Sequence, residues 1–332
     1  MASMIESALI GKRQEILDDV FNVESDKTPF LSMLKIGKRP LAMLATWVAE
    51  LIPDAASTGI LDNTAATSPS RVDRYLMQGC SQNFRKEWGV STLAGLTESA
   101  GIRDEAAHQM ELAMKLLKRA MEVQFLSDGD STIEAASTPW TTRGAFSWLA
   151  NAEQTQHAVN AALRPSSSVL YSGAVASYTE SYMRTQLEAA YAAIKQPVNL
   201  NGFVGYDLKA VIDDFTNVYP TAAATSAPKV SYRINGNSEY MEGVDIVNFS
   251  TGRIAIQLDP FILCTTSTGA ASASTPKSGI FLNMSQWDIG YMQKPANTNL
   301  APDGSGKKGY IDAVAILRCL NPLGQIHNQS AT

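Results

Sequence analysis

Few residues in this 332-residue sequence have the types and spacing to do chemistry. Gly304-Ser305-Gly306-Lys307-Lys308-Gly309 fits the pattern G-x-G-x-x-G. A dinucleotide site needs a strand before those glycines and a helix after them, so that phosphates meet a helix N-terminus. Here a polar loop precedes and a strand over 310–320 is expected to follow. The Walker pattern fails too: position 301 is Ala, and Lys308 stands where Ser or Thr would bind magnesium. A flexible turn is the better reading.

His108, His157 and His327 are far apart, and neither H-E-x-x-H nor G-x-S-x-G occurs. His108 falls within a helical pattern, where a solvated or packed role is the expectation. Asp128-Gly129-Asp130 begins like a calcium loop but lacks the spaced ligands and closing Glu, so it reads as a helix stop. Cys80, Cys264 and Cys319 are odd in number and have no paired spacing, which argues against a disulfide framework or a zinc site. No catalytic residue, cofactor site or metal site is expected, and the chain reads as a non-enzyme.

Composition narrows the classes further. Hydrophobic residues make up 45% of the chain, enough for a packed core. Charged residues make up 18% and the formal net charge is -5, where a reader of nucleic-acid grooves would be basic. No basic-then-apolar leader opens the sequence, and no apolar run approaches the ~20 residues of a membrane helix. Folding in a reducing cytoplasm is therefore the expectation. Asn248-Phe249-Ser250, Asn283-Met284-Ser285 and Asn328-Gln329-Ser330 match the glycosylation sequon, and without a secretion signal they read as chance matches.

The elements that would position any surface follow from periodicity. Ser3 to Phe21 can form an amphipathic helix with Ile5, Leu9, Ile16 and Val20 on one side. Pro29 disfavours helix at Thr28, and the segment after it reads as extended. Leu41 to Ile52 and Arg71 to Val90 read as long strands, joined by a small-sided loop over 53–70. Together they predict a projecting hairpin. Arg103 to Leu126 carries Ala106, Met110, Ala113, Leu117 and Ala120 at helical spacing, a helix of about 36 Å. Glu111 and Lys115 form an i,i+4 pair there. Ser177-Tyr178-Thr179-Glu180 fits a capping box that opens a helix through Ile194. Short strands are expected at 244–247, 253–258 and 280–283, then a closing strand at 310–320. With no internal repeat and no alternating βαβ rhythm, the class is α+β.

The order of these features carries a resemblance. Lys27-Thr28-Pro29-Phe30-Leu31-Ser32-Met33-Leu34 ends an arm, a long hairpin follows, Asn83-Phe84-Arg85-Lys86 leads to Val90-Ser91-Thr92, and one long helix comes next. This resembles the major capsid proteins of tailed double-stranded DNA phages, which share the Hong Kong 97-like fold. Trp287 to Pro295 looks like the strand that re-enters the peripheral domain, and Leu317 to His327 like the closing strand and turn. The resemblance implies an N-terminal arm at 1–40, an extended hairpin at 41–88, a peripheral domain at 89–174 with its spine helix at 103–126, an axial domain at 175–286 and a return to the peripheral domain at 287–332.

It also implies self-assembly into pentamers and hexamers of an icosahedral shell around double-stranded DNA, without sequence-specific binding or contact with a membrane. Implied partners are a portal, a separate scaffolding protein and a decoration or cement protein. The place is the virion capsid, assembled in the host bacterial cytoplasm. Pro29, Phe30, Leu31, Trp47, Arg71 and Arg74 are the expected inter-subunit contacts. Some relatives weld subunits through a hairpin lysine, but residues 41–85 contain none, which predicts a non-covalent shell. An encapsulin-like compartment shell or another virion structural protein is the alternative.

Overall fold

The computed structural model describes residues 27–52, 59, 61–65, 72–97, 102, 104–150, 159–216, 245–264, 275–301, 304 and 306–330. The expected helix over 3–21 lies outside them. The elements in chain order are α1 (Pro29–Met33), β1 (Lys35–Ile36), β2 (Leu44–Leu51), β3 (Asp73–Cys80), β4 (Gln82–Val90), α2 (Thr92–Leu96), α3 (Glu105–Phe125) and α4 (Ala145–Trp148). Then come β5 (Leu170–Tyr171), α5 (Glu180–Ile194), β6 (Val198–Val204), α6 (Tyr206–Asp213), β7 (Ile246–Phe249), β8 (Gly252–Leu258), β9 (Gly279–Leu282), β10 (Trp287–Asn299), β11 (Lys307–Cys319) and β12 (Ile326–Asn328). The α+β class stands.

The long helix α3 forms where the spacing places it. Asp104 caps it, its side chain accepting from the Ala106 and Ala107 amides, and Glu111 pairs with Lys115 at 3.0 Å. Its apolar stripe, Ala113, Leu117, Met121 and Phe125, is buried on a four-stranded sheet of order β1-β10-β11-β4. Phe84 of β4 meets Phe125 edge-on at 5.9 Å. Gly37 lets the chain cross this sheet after β1: a Cβ there would land on the Arg318–Asp288 ion pair beneath.

A second sheet has the order β5-β12-β9-β6-β8-β7, with β6 and β8 parallel. One face, with Val198, Leu200, Val204 and Phe281, packs under Met183, Leu187 and Ala190 of α5 and Leu208 and Ile212 of α6. The other face gives Phe203, Ile280 and Leu282 to the core below α3. Strands buried on both faces read as near-continuous apolar runs, as Gly279–Leu282 does. Gly202 sits where this packing is tightest, since a Cβ would come within 2.6 Å of the Phe281 ring.

Some expectations need correction. The strand expected over 71–90 is two strands. β3 pairs with β2 from Leu44↔Cys80 to Leu51↔Asp73, whereas β4 pairs with β11. The chain changes sheets at Ser81, so only β2 and β3 form the projecting hairpin. The segment after Pro29 is helical, not extended. Pro suits the first helical position, where its missing N–H costs nothing. The acceptor that caps this helix lies 92 residues away, at Glu122. The α5 cap is Thr179, whose side chain accepts from the Tyr182 amide, while Ser177 closes a short 3-10 turn. Gly304 and Gly306 are at positive φ, and Lys307, Lys308 and Gly309 already belong to β11, so a strand follows where a phosphate site needs a helix.

Candidate assembly surfaces

The β2–β3 hairpin shows its two faces plainly. On one, Trp47, Ala49 and Tyr75 return to the chain's own core. The Trp47 indole N–H donates to the Cys319 carbonyl at 3.1 Å, and its ring lies 5.6 Å from Trp148. On the other face, Val48 pairs with Leu76 across the strands, and the two are 59% and 54% exposed. Glu50 and Arg74 form the next pair, an ion pair at 2.5 Å. Ile52 and Val72, just beyond the strand ends, are exposed too. Contiguous exposed apolar surface of this kind commonly marks an interaction site. Leu93 and Leu96 of α2 add further exposed apolar surface.

The expected contact residues therefore divide. Arg74 lies on the exposed hairpin face, and Arg71 lies outside the described residues. Trp47 is half-buried against its own body. Phe30 is fully buried, edge-on to Phe203 at 5.3 Å, while Pro29 and Leu31 are half-buried beside it. Val48 and Leu76 were not singled out from the sequence. The signal for Val48 was slight: Ala45, Trp47, Ala49 and Leu51 share one face, and Val48 is the lone apolar residue between Thr46 and Glu50 on the other.

Glu122 is the other residue that local reasoning missed. It is buried on the core side of α3, and its Oε1 and Oε2 accept from the Phe30 and Leu31 amides at 2.8 and 2.7 Å. It thereby holds the N-terminus of α1, where an acceptor satisfies amides that have no helical partner. Burial first, and then the neighbouring Asp259 carboxyl, push Glu122 up to about 9, against the pull of the two amides.

The titratable groups screened for chemistry are dispersed. His108 lies on α3, and His157 is outside the described residues. His327 lies on β12 against Phe146 at 5.6 Å, and burial lowers it to about 4. Cys80, Cys264 and Cys319 are buried free thiols, all raised by burial. Asp130, from the Asp-Gly-Asp segment, pairs with the fully buried Arg143 at 2.6 Å, and Arg143 stacks on Trp148. Among the described residues, no group of three or more His, Cys, Asp or Glu side chains could hold a metal ion. None of the described helices is long and apolar enough to cross a membrane.

The chain is similar to proteins of known family and fold. Residues 4–324 match the family model described as SU10 major capsid protein. The chain belongs to that family. It is a major capsid protein, a structural subunit of a phage head shell and not an enzyme. No curated protein sequence matches it significantly. Among solved structures, a chain from Gordonia phage Cozz superposes with TM-score 0.61 at 13% identity, covering 97% of this chain and 92% of that one. The capsid structure of cyanophage P-SCSP1u gives TM-score 0.61 at 11% identity, covering 96% and 93%. The cyanophage A-1(L) capsid asymmetric unit gives 0.57 at 13% identity, covering 98% of each chain. At such identities the likeness shows a shared phage-capsid fold.

Proposed function

We propose that this major capsid protein assembles as pentamers and hexamers into an icosahedral shell, and that the exposed face of the β2–β3 hairpin is completed by a neighbouring copy. The observation that carries this is the Val48–Leu76 pair, apolar and more than half exposed at the centre of the hairpin. Isologous or ring-forming contacts of one chain with itself need self-complementary patches, and a projecting hairpin adds buried area at little cost to the fold. Residues 89–174 with 287–332 serve as the peripheral domain and residues 175–286 as the axial domain. Pro29, Leu31, Arg71 and Arg74 border the contacts.

The shell encloses double-stranded DNA without reading its sequence, in keeping with a net charge of -5. A portal, a separate scaffolding protein and a cement protein are the partners in this scheme, and assembly takes place in the host bacterial cytoplasm. The contacts are non-covalent: residues 41–85 offer no lysine amine, Lys38 precedes the hairpin, and Lys86 lies in β4, paired with Ile311 of the four-stranded sheet. Purified mature particles test this. Electron microscopy should show closed, DNA-filled shells, and boiling in denaturing detergent should release one monomer band. A protein cargo in place of DNA would overturn the genome role, and a ladder of branched oligomers would overturn the non-covalent contacts.

A further inference from the structure

The four-stranded sheet of order β1-β10-β11-β4 has an edge that the chain itself leaves largely unpaired. β1 covers only Asp288 and Ile289 of β10, and the Gly37 amide then donates to the Ile289 carbonyl at 2.9 Å. Lys38 and Pro40 lie against Gly290, and β10 runs on to Asn299. Among the described residues no strand pairs with that side of residues 291–299. Such an edge offers a row of backbone donors and acceptors to another chain.

Beside the edge lies a groove of about 600 Å³ lined by apolar and basic side chains together. Ile36, Tyr291 and Val314 supply the apolar part, and Ile36 is 68% exposed. Arg39 and Lys294 supply the charge, and Lys35 and Lys38 are exposed on the same short segment as Arg39. The acids at hand are taken. Asp288, beneath Gly37, pairs with Arg318 at 2.7 Å, and Asp312, which accepts from Gln293, pairs with Arg85 at 3.7 Å. Four cations thus gather at one edge of a chain whose formal net charge is -5.

A partner for this edge must be extended, partly apolar and acidic. A second β10 edge fails on the last count, because it would set the cations of one copy against those of another. Pro295, which lacks a donor, and the register shifts between Tyr291 and Gln293 and between Gln293 and Ala296 also blunt the edge against its own kind. The chain does contain a matching segment. Between Arg13 and Lys27 stand the acids Glu15, Asp18, Asp19, Glu24 and Asp26 and no base. Phe21 and Val23 alternate there with Asn22 and Glu24, the spacing of a strand. We propose that residues 21–26 of a second copy add as a strand to the outer edge of β10, with their apolar side chains in the groove and their acids at Arg39 and Lys294. Such a contact presupposes the assembly proposed above and is separate from the hairpin face.

The direction of α1 favours a second copy over the chain's own segment. The C-terminal end of α1 runs through Leu34 into β1, on the β10 edge. Its N-terminal end is held on α3, where the Phe30 and Leu31 amides donate to Glu122. Residues 21–26 therefore enter α1 from the end remote from β1. To reach residues 291–299 of their own subunit they would have to turn back past α1 and β1, with only Lys27 and Thr28 to make the turn. As a strand they span about 20 Å, which fits within residues 291–299.

Cross-linking of the full-length protein tests this. Light and heavy-nitrogen chains are mixed before assembly, and the shells are treated with a carbodiimide, which joins an amine to a carboxylate in direct contact. Amide links are expected from Lys38 or Lys294 to Glu24 or Asp26, with light peptides joined to heavy ones. Links only within one isotope would place the segment on its own subunit and overturn the exchange between copies. Shells without such links would overturn the strand addition and leave the shell reading intact, whereas a chain that stays monomeric under every assembly condition removes both. Charge reversal tests the same contact a second way. Arg39→Glu with Lys294→Glu should raise the concentration needed for assembly about tenfold or more, and adding Glu24→Lys with Asp26→Lys should return it to within about threefold of wild type. A reversed groove that assembles like wild type, or a quadruple variant without recovery, would overturn the pairing.

Discussion

The hairpin β2–β3 and the strand pair β10–β11 are both antiparallel ribbons, yet they meet the rest of the chain differently. β11 is paired on both sides, with β10 and β4, and α3 lies across it. Ile311, Ala313, Ala315 and Leu317 are accordingly buried in the central core. β2 and β3 pair only with each other, and one face carries Val48 and Leu76 into solvent. A free two-stranded ribbon is marginal in water. This one is held to the body on one face through Trp47 and Tyr75 and has its other face exposed. The apolar residues of the single chain are covered in its cores and left exposed on its hairpin.

Substitutions can break that contrast. The largest effect is expected in the core: Leu117→Asp buries an unpaired carboxylate where the side chain is 0% exposed, a loss of several kcal/mol. The variant should be insoluble or unfolded by circular dichroism. Phe203→Ala removes the ring between α1 and the six-stranded sheet and should cost about 3–5 kcal/mol in chemical denaturation.

His327 comes next. Its folded value is depressed to about 4, so its contribution is present above the ordinary value of 6.5 and is lost as pH falls toward 4. Between those values the destabilisation should reach about 3 kcal/mol, seen as a falling melting temperature that His327→Phe flattens. Against these, the hairpin pair should barely move the fold. Val48→Thr with Leu76→Thr, a polar pair that strands tolerate, is expected within about 1 kcal/mol of wild type in the isolated chain, yet to impair shell formation. Arg74→Ala is the smallest: its exposed pair with Glu50 contributes about 0.5 kcal/mol or less to folding. A hairpin double variant that unfolds the monomer would erase the contrast between the two regions.

Much of this was legible in the sequence where a single periodicity dominates. The α3 stripe of Ala113 and Leu117, its Glu111–Lys115 pair, the strands on either side of the 53–70 loop and the closing strand can be read locally. β6 could not, because Asn199, Asn201 and Gly202 interrupt its apolar residues, and its burial comes from α5 and α6. The division of 71–90 into two strands was also hidden. The core-facing apolar positions change parity, from Tyr75 and Met77 to Phe84 and Trp88, but no loop marks the change, and the choice of partner, β2 or β11, separates the halves. The α1 helix depends on Glu122, an acceptor that no local window contains. Phe30 shows the same limit at the candidate site: an arm aromatic suggests a neighbour's surface, but this one is buried on Phe203.

The claim that a second copy covers the hairpin is tested most directly by an electron cryo-microscopy map of the assembled shell. It should show Val48 and Leu76 buried against the adjoining subunit, with the Trp47 indole still bonded to its own Cys319 carbonyl. A map with that face open to solvent, or folded back onto its own subunit, would contradict it.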